Sequence, residues 1–299
     1  MVFFLAQGTI SWEILPPRYV GFIVITLTTM NDEIFVLYGR RDEDVAPYAI
    51  KVFDAKKMGK AKGVIPLSDI CPIEIAACSA SSCVYLLYTE WPGFSISRIT
   101  KDSRQFRIAP WIENRSLPSY AIGPMSLSAG GNLMILSRHR SPEPTAVVVY
   151  AANGSVLREI TLWPGFYGFS YVRSIFEKSC GSLVFVSVTD QYQNKLLEIE
   201  KSGRIVHEYQ SRFGGDLDSF EDICGRVFVI SLDGNIEVLD SELKLLDAAV
   251  PRLVAGDIVP YEVKYNRERH EIVGHRFVGY RNPNAVECSA LVIFRVAEE

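Results

Sequence analysis

Residues 125–162 read "MSLSAGGNLMILSRHRSPEPTAVVVYAANGSVLREITL". Divided at its turns, this stretch gives four short apolar runs joined by a Gly-Gly turn, a longer proline-containing loop and an Asn-Gly turn. Runs rich in β-branched residues and bounded by Gly, Asn, Ser or Pro are typical of strands, and Asn-Gly is typical of a tight hairpin. The stretch therefore predicts a four-stranded antiparallel sheet.

The same pattern recurs on both sides of this stretch. The repeat period can be measured between successive turns that join a third strand to a fourth, which fall at Asp54, Asp102, Asn153, Ser202 and Asp240. The intervals are 48, 51, 49 and 38 residues, a period typical of propeller blades. The chain is predicted to be one all-β domain over residues 1–299, a β-propeller of four-stranded antiparallel blades. The alternative is a β-sandwich or two smaller β domains. The regular period between the turns argues against it.

The two ends of the chain complete each other. The last group, residues 260–299, supplies three strands and then ends, while "GTISWEILPP" (residues 8–17) opens the chain as a strand without a group. We predict that Thr9–Leu15 pairs with Leu291–Val296, which closes a ring of six blades and covers two open strand edges. "VFFLA" (residues 2–6) resembles a further strand, so closure by two N-terminal strands is the alternative.

Three phrases in these groups resemble NHL-type repeats. They read "IKVFDAKKMG" (residues 50–59), "VVVYAANGSVLREI" (147–160) and "IEVLDSELKLL" (236–246). The usual "P-x-G-V-A-V-D" and "V-A-D" hallmarks are absent, because the corresponding strands read "VFVISLDGN" and "LMILSRHR". The chain thus resembles a divergent NHL-like six-bladed propeller. The resemblance implies a module that binds protein or RNA, whereas other six-bladed propellers are calcium-dependent lactonases or related hydrolases.

Composition limits the function classes. Hydrophobic residues make up 48% of the chain, which suits a large core, and the net charge of −4 argues against a surface built to neutralise phosphates. The six cysteines form no C-x-x-C pair and are not grouped with the four histidines, so no zinc site is predicted. Several cysteines lie inside apolar runs, which favours a reducing, cytoplasmic compartment. The apolar run "VGFIVITLTT" is about half of what a membrane helix needs.

The order of antiparallel strands assigns each connection to one face of the propeller. Connections from first to second and from third to fourth strand form one face, here called the turn face, and the sequence gives them short polar turns such as "SAGG" and "AANG". Connections from second to third strand and between blades form the opposite loop face. Trp, Tyr and Arg, which dominate binding hot spots, gather in the loop-face connections. The predicted partner-binding residues are Arg40, Trp91, Trp111, Arg138, Arg140, Trp163, Tyr167, Tyr192, Phe213 and Arg281. The alternative is that these side chains only cover the ends of the blades.

These observations favour a non-catalytic recognition or scaffold module that binds a protein or peptide, with no cofactor, metal or catalytic residue. One alternative is binding of single-stranded RNA, whose bases the arginines and aromatic residues of the loop face could stack on and hydrogen-bond. The basic cluster Lys56, Lys57, Lys60 and Lys62 would serve a nucleic acid on the turn face, but a solvated hairpin turn is the favoured interpretation of it. The other alternative is a metal-dependent, lactonase-like hydrolase. Its candidate ligands at the channel mouth are Glu74, Glu221, Asp222, Asp257 and Glu262.

Overall fold

The structure is a computed structural model. It describes the chain except for residues 1, 6–7, 21, 41–47, 57–60, 69, 91–92, 103–104, 114–120, 129, 139–145, 163–168, 190–193, 214–216, 232–234, 250–261, 267–268, 270, 279–287 and 298–299. In the first two strands and the last one, the description is of the backbone.

The chain is an all-β propeller with four-stranded antiparallel blades. It begins with β1 (Val2–Leu5) and β2 (Gly8–Val20). Five consecutive blades follow, each with its strands paired in chain order. Blade 1 holds β3 (Phe22–Met30), β4 (Glu33–Arg40), β5 (Tyr48–Asp54) and β6 (Ala61–Leu67). Blade 2 holds β7 (Cys71–Cys78), β8 (Cys83–Glu90), β9 (Gly93–Asp102) and β10 (Gln105–Ile112). Blade 3 holds β11 (Ala121–Leu127), β12 (Leu133–Arg138), β13 (Ala146–Tyr150) and β14 (Val156–Thr161).

Blade 4 holds β15 (Phe169–Glu177), β16 (Leu183–Thr189), β17 (Asn194–Ile199) and β18 (Ile205–Gln210). Blade 5 holds β19 (Leu217–Glu221), β20 (Val227–Ser231), β21 (Ile236–Leu239) and β22 (Leu245–Ala249). The remaining strands are β23 (Glu262–Asn266), β24 (Glu271–Val278) and β25 (Cys288–Ala297). They join the two N-terminal strands in one five-stranded sheet, here called the closing sheet, in the order β1-β2-β25-β24-β23.

The N-terminal strand pairs with the last strand of the chain as predicted. In the antiparallel register of β2 and β25, Ile10 lies opposite Val296 and Leu15 lies opposite Leu291. The prediction of closure by one N-terminal strand was incomplete, because β1 also pairs with β2 and adds a fifth, outer strand to the closing sheet. Both N-terminal strands therefore take part, as in the two-strand alternative.

The first strands of the sheets surround a central channel. Contacts run from β3 to β7, β11, β15, β19 and β23 in turn, and β23 contacts β3. All five turns between third and fourth strands lie at the positions predicted from the sequence. Asp54 and Asp102 end β5 and β9, and Asn153, Ser202 and Asp240 lie between the third and fourth strands of blades 3, 4 and 5.

The core is divided among the seams, meaning the contact surfaces between neighbouring sheets. In β12, Leu133 and Ile135 pack toward blade 2, whereas Met134 and Leu136 pack toward blade 4. Successive side chains of a strand point to opposite faces, so a blade covered on both faces needs an unbroken apolar run. This explains why "LMIL" does not alternate with polar residues. The closing sheet is packed in the same way, with Ile272 toward blade 5 and Val273 toward blade 1.

No helix among the described residues is long and apolar enough to cross a membrane.

Candidate functional site

The loop face carries the ends of the second strands, as predicted. Arg40 is the last residue of β4 and Arg138 is the last residue of β12, which puts the backbone of both at this face. Six further predicted residues lie outside the described residues: Trp91, Arg140, Trp163, Tyr167, Tyr192 and Arg281. Their assignment to the partner site stays a prediction.

Phe213 lies on the loop face, in the connection from blade 4 to blade 5. Its amide donates to Ser211 Oγ (3.1 Å), and its carbonyl oxygen accepts from Asn194 Nδ2 (3.4 Å). Asn194 begins β17, directly after residues 190–193, which include Tyr192. The structure thus places Phe213 beside the start of β17, at the end of the connection that carries Tyr192.

Trp111 lies in the seam between blades 2 and 3. Its ring packs against Tyr85 (4.6 Å between centroids) and against Tyr150 (6.2 Å), and its Nε1 donates to Ala152 O (3.0 Å). Ala152 belongs to the turn between β13 and β14, which is a turn-face connection. Sheets twist, and this brings the end of outer strand β10 against the next blade. Trp111 therefore has a structural role, and any binding test on it has to allow for lost packing.

The same seam raises the pKa of two phenols. Burial raises the pKa of Tyr85 to about 12. The pKa of Tyr150 is also raised to about 12, mainly by burial and to a smaller extent by the nearby Glu159 carboxylate. Burial disfavours the charged phenolate. Both hydroxyls stay protonated at neutral pH, and both residues belong to the packed cluster of this seam.

Turn-face connections hold neighbouring blades together. Lys178, in the turn between β15 and β16, donates to Glu198 Oε1 (2.9 Å) and to Ser241 O of blade 5 (2.5 Å). The Lys178 and Glu198 side chains are only 3% and 4% exposed, so this ion pair is buried. Ser182 and His207 also hydrogen-bond the carboxylate. Burial raises the pKa of Glu198, but these hydrogen bonds outweigh it and lower the pKa below its ordinary value.

A second turn-face cluster joins the closing sheet to blade 1. Arg269 Nη1 donates to Asp32 Oδ1 (2.8 Å), and Asn266 Nδ2 donates to Asn31 O (3.0 Å). The other guanidinium nitrogens of Arg269 bind Glu271 at 2.7 and 3.0 Å. The turn face thus fastens the closing sheet to the first blade.

The central channel contains a cavity of about 520 Å³, lined by first-strand residues of every blade and of the closing sheet. At three seams, a side chain on one first strand accepts a backbone N–H from the next. These bonds run from Ala77 N to Thr28 Oγ1 (3.0 Å), from Met125 N to Glu74 Oε2 (2.8 Å), and from Val263 N to Asp218 Oδ2 (3.0 Å). Polar channel residues therefore join neighbouring blades.

The candidate metal ligands of the hydrolase alternative lie in separate structural roles. Glu74 accepts from Met125 N, Glu221 accepts from both N and Oγ of Ser179 (2.8 and 3.0 Å), and Asp222 binds Arg226 in its own hairpin turn. Across the described part of the chain, no three His, Cys, Asp or Glu side chains lie together where they could hold a metal ion. Asp257 and the Glu262 side chain lie outside the described residues.

The basic cluster of the RNA alternative is paired with carboxylates where it is described. Lys56 Nζ lies 2.6 Å from Asp32 Oδ2, and Lys62 Nζ lies 3.3 Å from Glu33 Oε1. Lys57 and Lys60 lie outside the described residues. The described lysines thus neutralise acidic groups on the same face.

Sequence reasoning missed the buried polar residues of the first strands. Ser174 and Ser219 line the channel, and their Oγ atoms are buried without a hydrogen-bond partner. The available signal was a small polar residue inside an apolar first strand, as in "YVRSIFE" and "LDSFE".

No family model matches the sequence, and no curated protein matches it. Solved structures do resemble the fold. The PQQ-bound aldose sugar dehydrogenase from Streptomyces coelicolor is 13% identical over 96% of this chain and 98% of its own, with a TM-score of 0.59. The Dos1 propeller is 11% identical over 96% of each chain (TM-score 0.52), and a chain of the nidogen/laminin complex is 13% identical over 77% of this chain and 81% of its own (TM-score 0.52). At these identities the likeness shows the propeller fold alone.

Proposed function

We propose that this propeller is a non-catalytic recognition module that binds a protein or peptide partner on its loop face. The observation that carries the proposal is the difference between the two faces. Turn-face residues such as Lys178 and Arg269 are used to join blades. The loop-face connections instead concentrate Trp, Tyr and Arg, the residue types that dominate hot spots. Loops on a rigid scaffold are also where binding residues gather.

We further propose that the closing sheet is the sixth blade and that the chain is a divergent NHL-like propeller. The face-to-face packing of the closing sheet against blades 5 and 1 supports its assignment as the sixth blade. The NHL-like phrases, which precede and include the turns between third and fourth strands, support the NHL-like assignment. Five free cysteines among the described residues support the predicted reducing, cytoplasmic compartment.

The similar structures do not choose between functions, because they include a sugar dehydrogenase as well as a chain from a protein complex. The contacts of this chain favour binding over hydrolysis. Glu74, Asp218 and Glu221 each accept a backbone N–H from a neighbouring blade, which gives these carboxylates a structural purpose. The ion pairs of Lys56 and Lys62 favour protein over RNA.

The proposal is tested with Trp163→Ala on the loop face and Lys57→Ala on the turn face as the matched control. Partners are captured with the intact protein, and the affinity of the captured partner is then measured for both variants after their folding is verified by circular dichroism. We expect Trp163→Ala to cost about 2 kcal/mol or more of binding, as a hot-spot truncation does, and Lys57→Ala to cost little. Loss of binding in Lys57→Ala together with normal binding in Trp163→Ala would move the partner to the turn face. Capture of single-stranded RNA in place of a protein would select the RNA alternative.

A further inference from the structure

Two free thiols lie opposite each other in the first hairpin of blade 2. Cys78 is the last residue of β7 and Cys83 is the first residue of β8, and the antiparallel register of the two strands pairs them directly. Both belong to the packed cluster between blades 2 and 3, so their side chains lie on the same side of the blade. The fold therefore places two cysteine side chains next to each other.

The spacing of an antiparallel pair suits a disulfide. Directly opposite residues have Cα atoms about 4.5 or about 5.5 Å apart, and a disulfide usually spans about 4.4–6.8 Å between Cα atoms. Their Cβ atoms are about 4.5–5.5 Å apart, whereas a disulfide has them about 3.5–4.5 Å apart. A bond between Cys78 and Cys83 thus requires rotation of two side chains and a small approach of the strand ends, and it keeps the pairing of β7 with β8.

Each thiol has a different hydrogen-bond partner in the reduced protein. Cys78 Sγ donates to Gly131 O of blade 3 (3.3 Å), and Cys83 Sγ lies 3.1 Å from Ser81 Oγ in its own hairpin turn. A Cβ atom added to Gly131 would lie 3.3 Å from Cys78 Sγ, so the blade 3 turn packs directly on this sulfur. The Cys78 thiol therefore joins blade 2 to blade 3.

The other cysteines with described side chains lie in different settings. Cys71 is exposed at the start of β7 and lies opposite Thr89. Cys180 and Cys224 are exposed in the first hairpin turns of blades 4 and 5. Among the cysteines whose side chains the structure describes, Cys78 and Cys83 are therefore the pair that one strand ladder brings together.

Oxidation of this pair depends on local opening of the hairpin. The two residues are 1% and 0% exposed, so both thiols are closed to solvent in the folded ring. The turn that joins them is at the surface, because Ser79, Ala80 and Ser82 are exposed. Surface segments open locally at a lower free energy than the whole protein unfolds. Opening of this end of the hairpin exposes both thiols at the same time.

We propose that Cys78 and Cys83 form a reversible disulfide when the protein meets hydrogen peroxide. In the opened hairpin, one thiolate attacks the peroxide, its O–O bond breaks, and a sulfenic acid and water are formed. The second thiol then attacks the sulfenic sulfur, the S–S bond forms, and the oxygen leaves as a second water. Two electrons pass from the two thiols to one peroxide, and a dithiol reverses the bond by exchange.

The disulfide exchanges a contact between blades for a bond within one hairpin. Once bonded to Cys83, the sulfur of Cys78 has no hydrogen to donate, so Gly131 O loses its donor. We expect the seam between blades 2 and 3 to loosen at the turn face. In a reducing compartment, such a bond is transient and senses oxidant. This modification does not rest on the proposed partner recognition, because its formation is measured without a partner.

The test uses the purified, reduced protein, which is treated with hydrogen peroxide under native conditions, unfolded in iodoacetamide, digested and measured by mass spectrometry. We expect the peptide that contains Cys78 and Cys83 to have lost the mass of two hydrogen atoms, with neither residue alkylated. Treatment with dithiothreitol before alkylation should restore both thiols. Cys83→Ala should show no bridge, and the matched control Cys180→Ala should form it as the wild-type protein does. Alkylation of both Cys78 and Cys83 after a treatment that oxidises the exposed cysteines would overturn the proposal.

Two further measurements test the opening and its consequence. Urea below the unfolding transition should speed bridge formation about threefold or more, while maleimide coupling to exposed Cys180 keeps its rate. In the oxidised protein, the amide of Gly131, which donates to Ser128 O (2.9 Å), should exchange hydrogen about threefold faster or more. The corresponding amide of Gly181 in blade 4, which donates to Lys178 O (2.8 Å), is the control and should not change. Bridge formation only in globally unfolded protein, or unchanged exchange at Gly131, would contradict this account.

Discussion

The two faces of the propeller differ in the contacts that the structure describes on each. On the turn face, connections reach across seams: Lys178 binds Ser241 of blade 5, and Arg269 binds Asp32 of blade 1. On the loop face, the described bonds between blades gather around Glu237, which accepts from Tyr209 and Ser211. The described turn-face contacts thus join the blades of the ring, and recognition by the loop face stays a proposal.

Deletion of residues 1–16 should have the largest effect, because both faces depend on closure. The deletion removes β1 and most of β2, exposing the edge of β25 along the register that runs from Thr9–Ala297 to Leu15–Leu291. We expect the free energy of unfolding to fall by several kcal/mol, measured by chemical denaturation. An unchanged denaturation midpoint would show that the ring does not depend on this pairing.

Lys178→Met should follow in size, because it leaves the buried Glu198 carboxylate without its ammonium partner. Breaking a buried ion pair from one side costs about 3–5 kcal/mol. Lys244→Met is the control: its pair with Glu242 is 72% and 54% exposed, and such surface pairs contribute little to stability. Equal losses in the two variants would remove the distinction between buried and surface ion pairs on the turn face.

Trp111→Ala should cost about 3 kcal/mol, the lower end of the range for Trp truncation in a core, because the ring packs on Tyr85 and Tyr150. Trp111→Phe keeps an aromatic ring and loses the hydrogen bond to Ala152 O, which is worth about 1 kcal/mol. Thermal denaturation of both variants separates packing from hydrogen bonding. If Trp111→Ala folds with unchanged stability and loses partner binding, the residue belongs to the loop-face site after all.

The smallest effect concerns pH. Because the folded-state pKa of Glu198 is lowered, its stabilisation is present above the unfolded pKa of about 4.5 and is lost as pH falls through the folded value. The difference in free energy of unfolding between the wild-type protein and Glu198→Gln should therefore shrink as pH falls below about 4.5. Denaturation at pH 7 and at pH 3 measures it, with Glu208→Gln as an exposed control. A difference that grows in acid would contradict the lowered pKa.

The strand groups were predictable from the sequence because hairpin chemistry is local. Asp54, Asp102 and Asp240 were located by turn residues alone, and the pairing of Thr9–Leu15 with Leu291–Val296 followed from two incomplete groups of strands. The buried ion pair was not predictable, since Lys178 and Glu198 read as ordinary surface residues and their burial depends on the neighbouring blade.

The candidate site was predictable in part. The strand ends at Arg40 and Arg138, and Phe213 in its connection, lie on the loop face as the antiparallel order requires. Trp111 was assigned to the same set, but the twist of β10 puts its indole against a turn-face connection of blade 3. Unsatisfied hydroxyls such as those of Ser174 and Ser219 cannot be recognised in a sequence, because partnering depends on distances between blades.

Recognition by the loop face is tested by blocking each face in turn on an otherwise identical protein. One variant keeps Cys71 on the loop face, and the other keeps Cys180 on the turn face. In each variant the other of these two cysteines is changed to serine, and Cys224 and Cys288 are changed to serine in both. Each is coupled to the same maleimide-linked polyethylene glycol, and binding of the captured protein partner is measured by surface plasmon resonance. Coupling at Cys71 is expected to abolish or strongly weaken binding, while coupling at Cys180 leaves it unchanged. Loss of binding on coupling at Cys180, with normal binding on coupling at Cys71, would contradict recognition by the loop face.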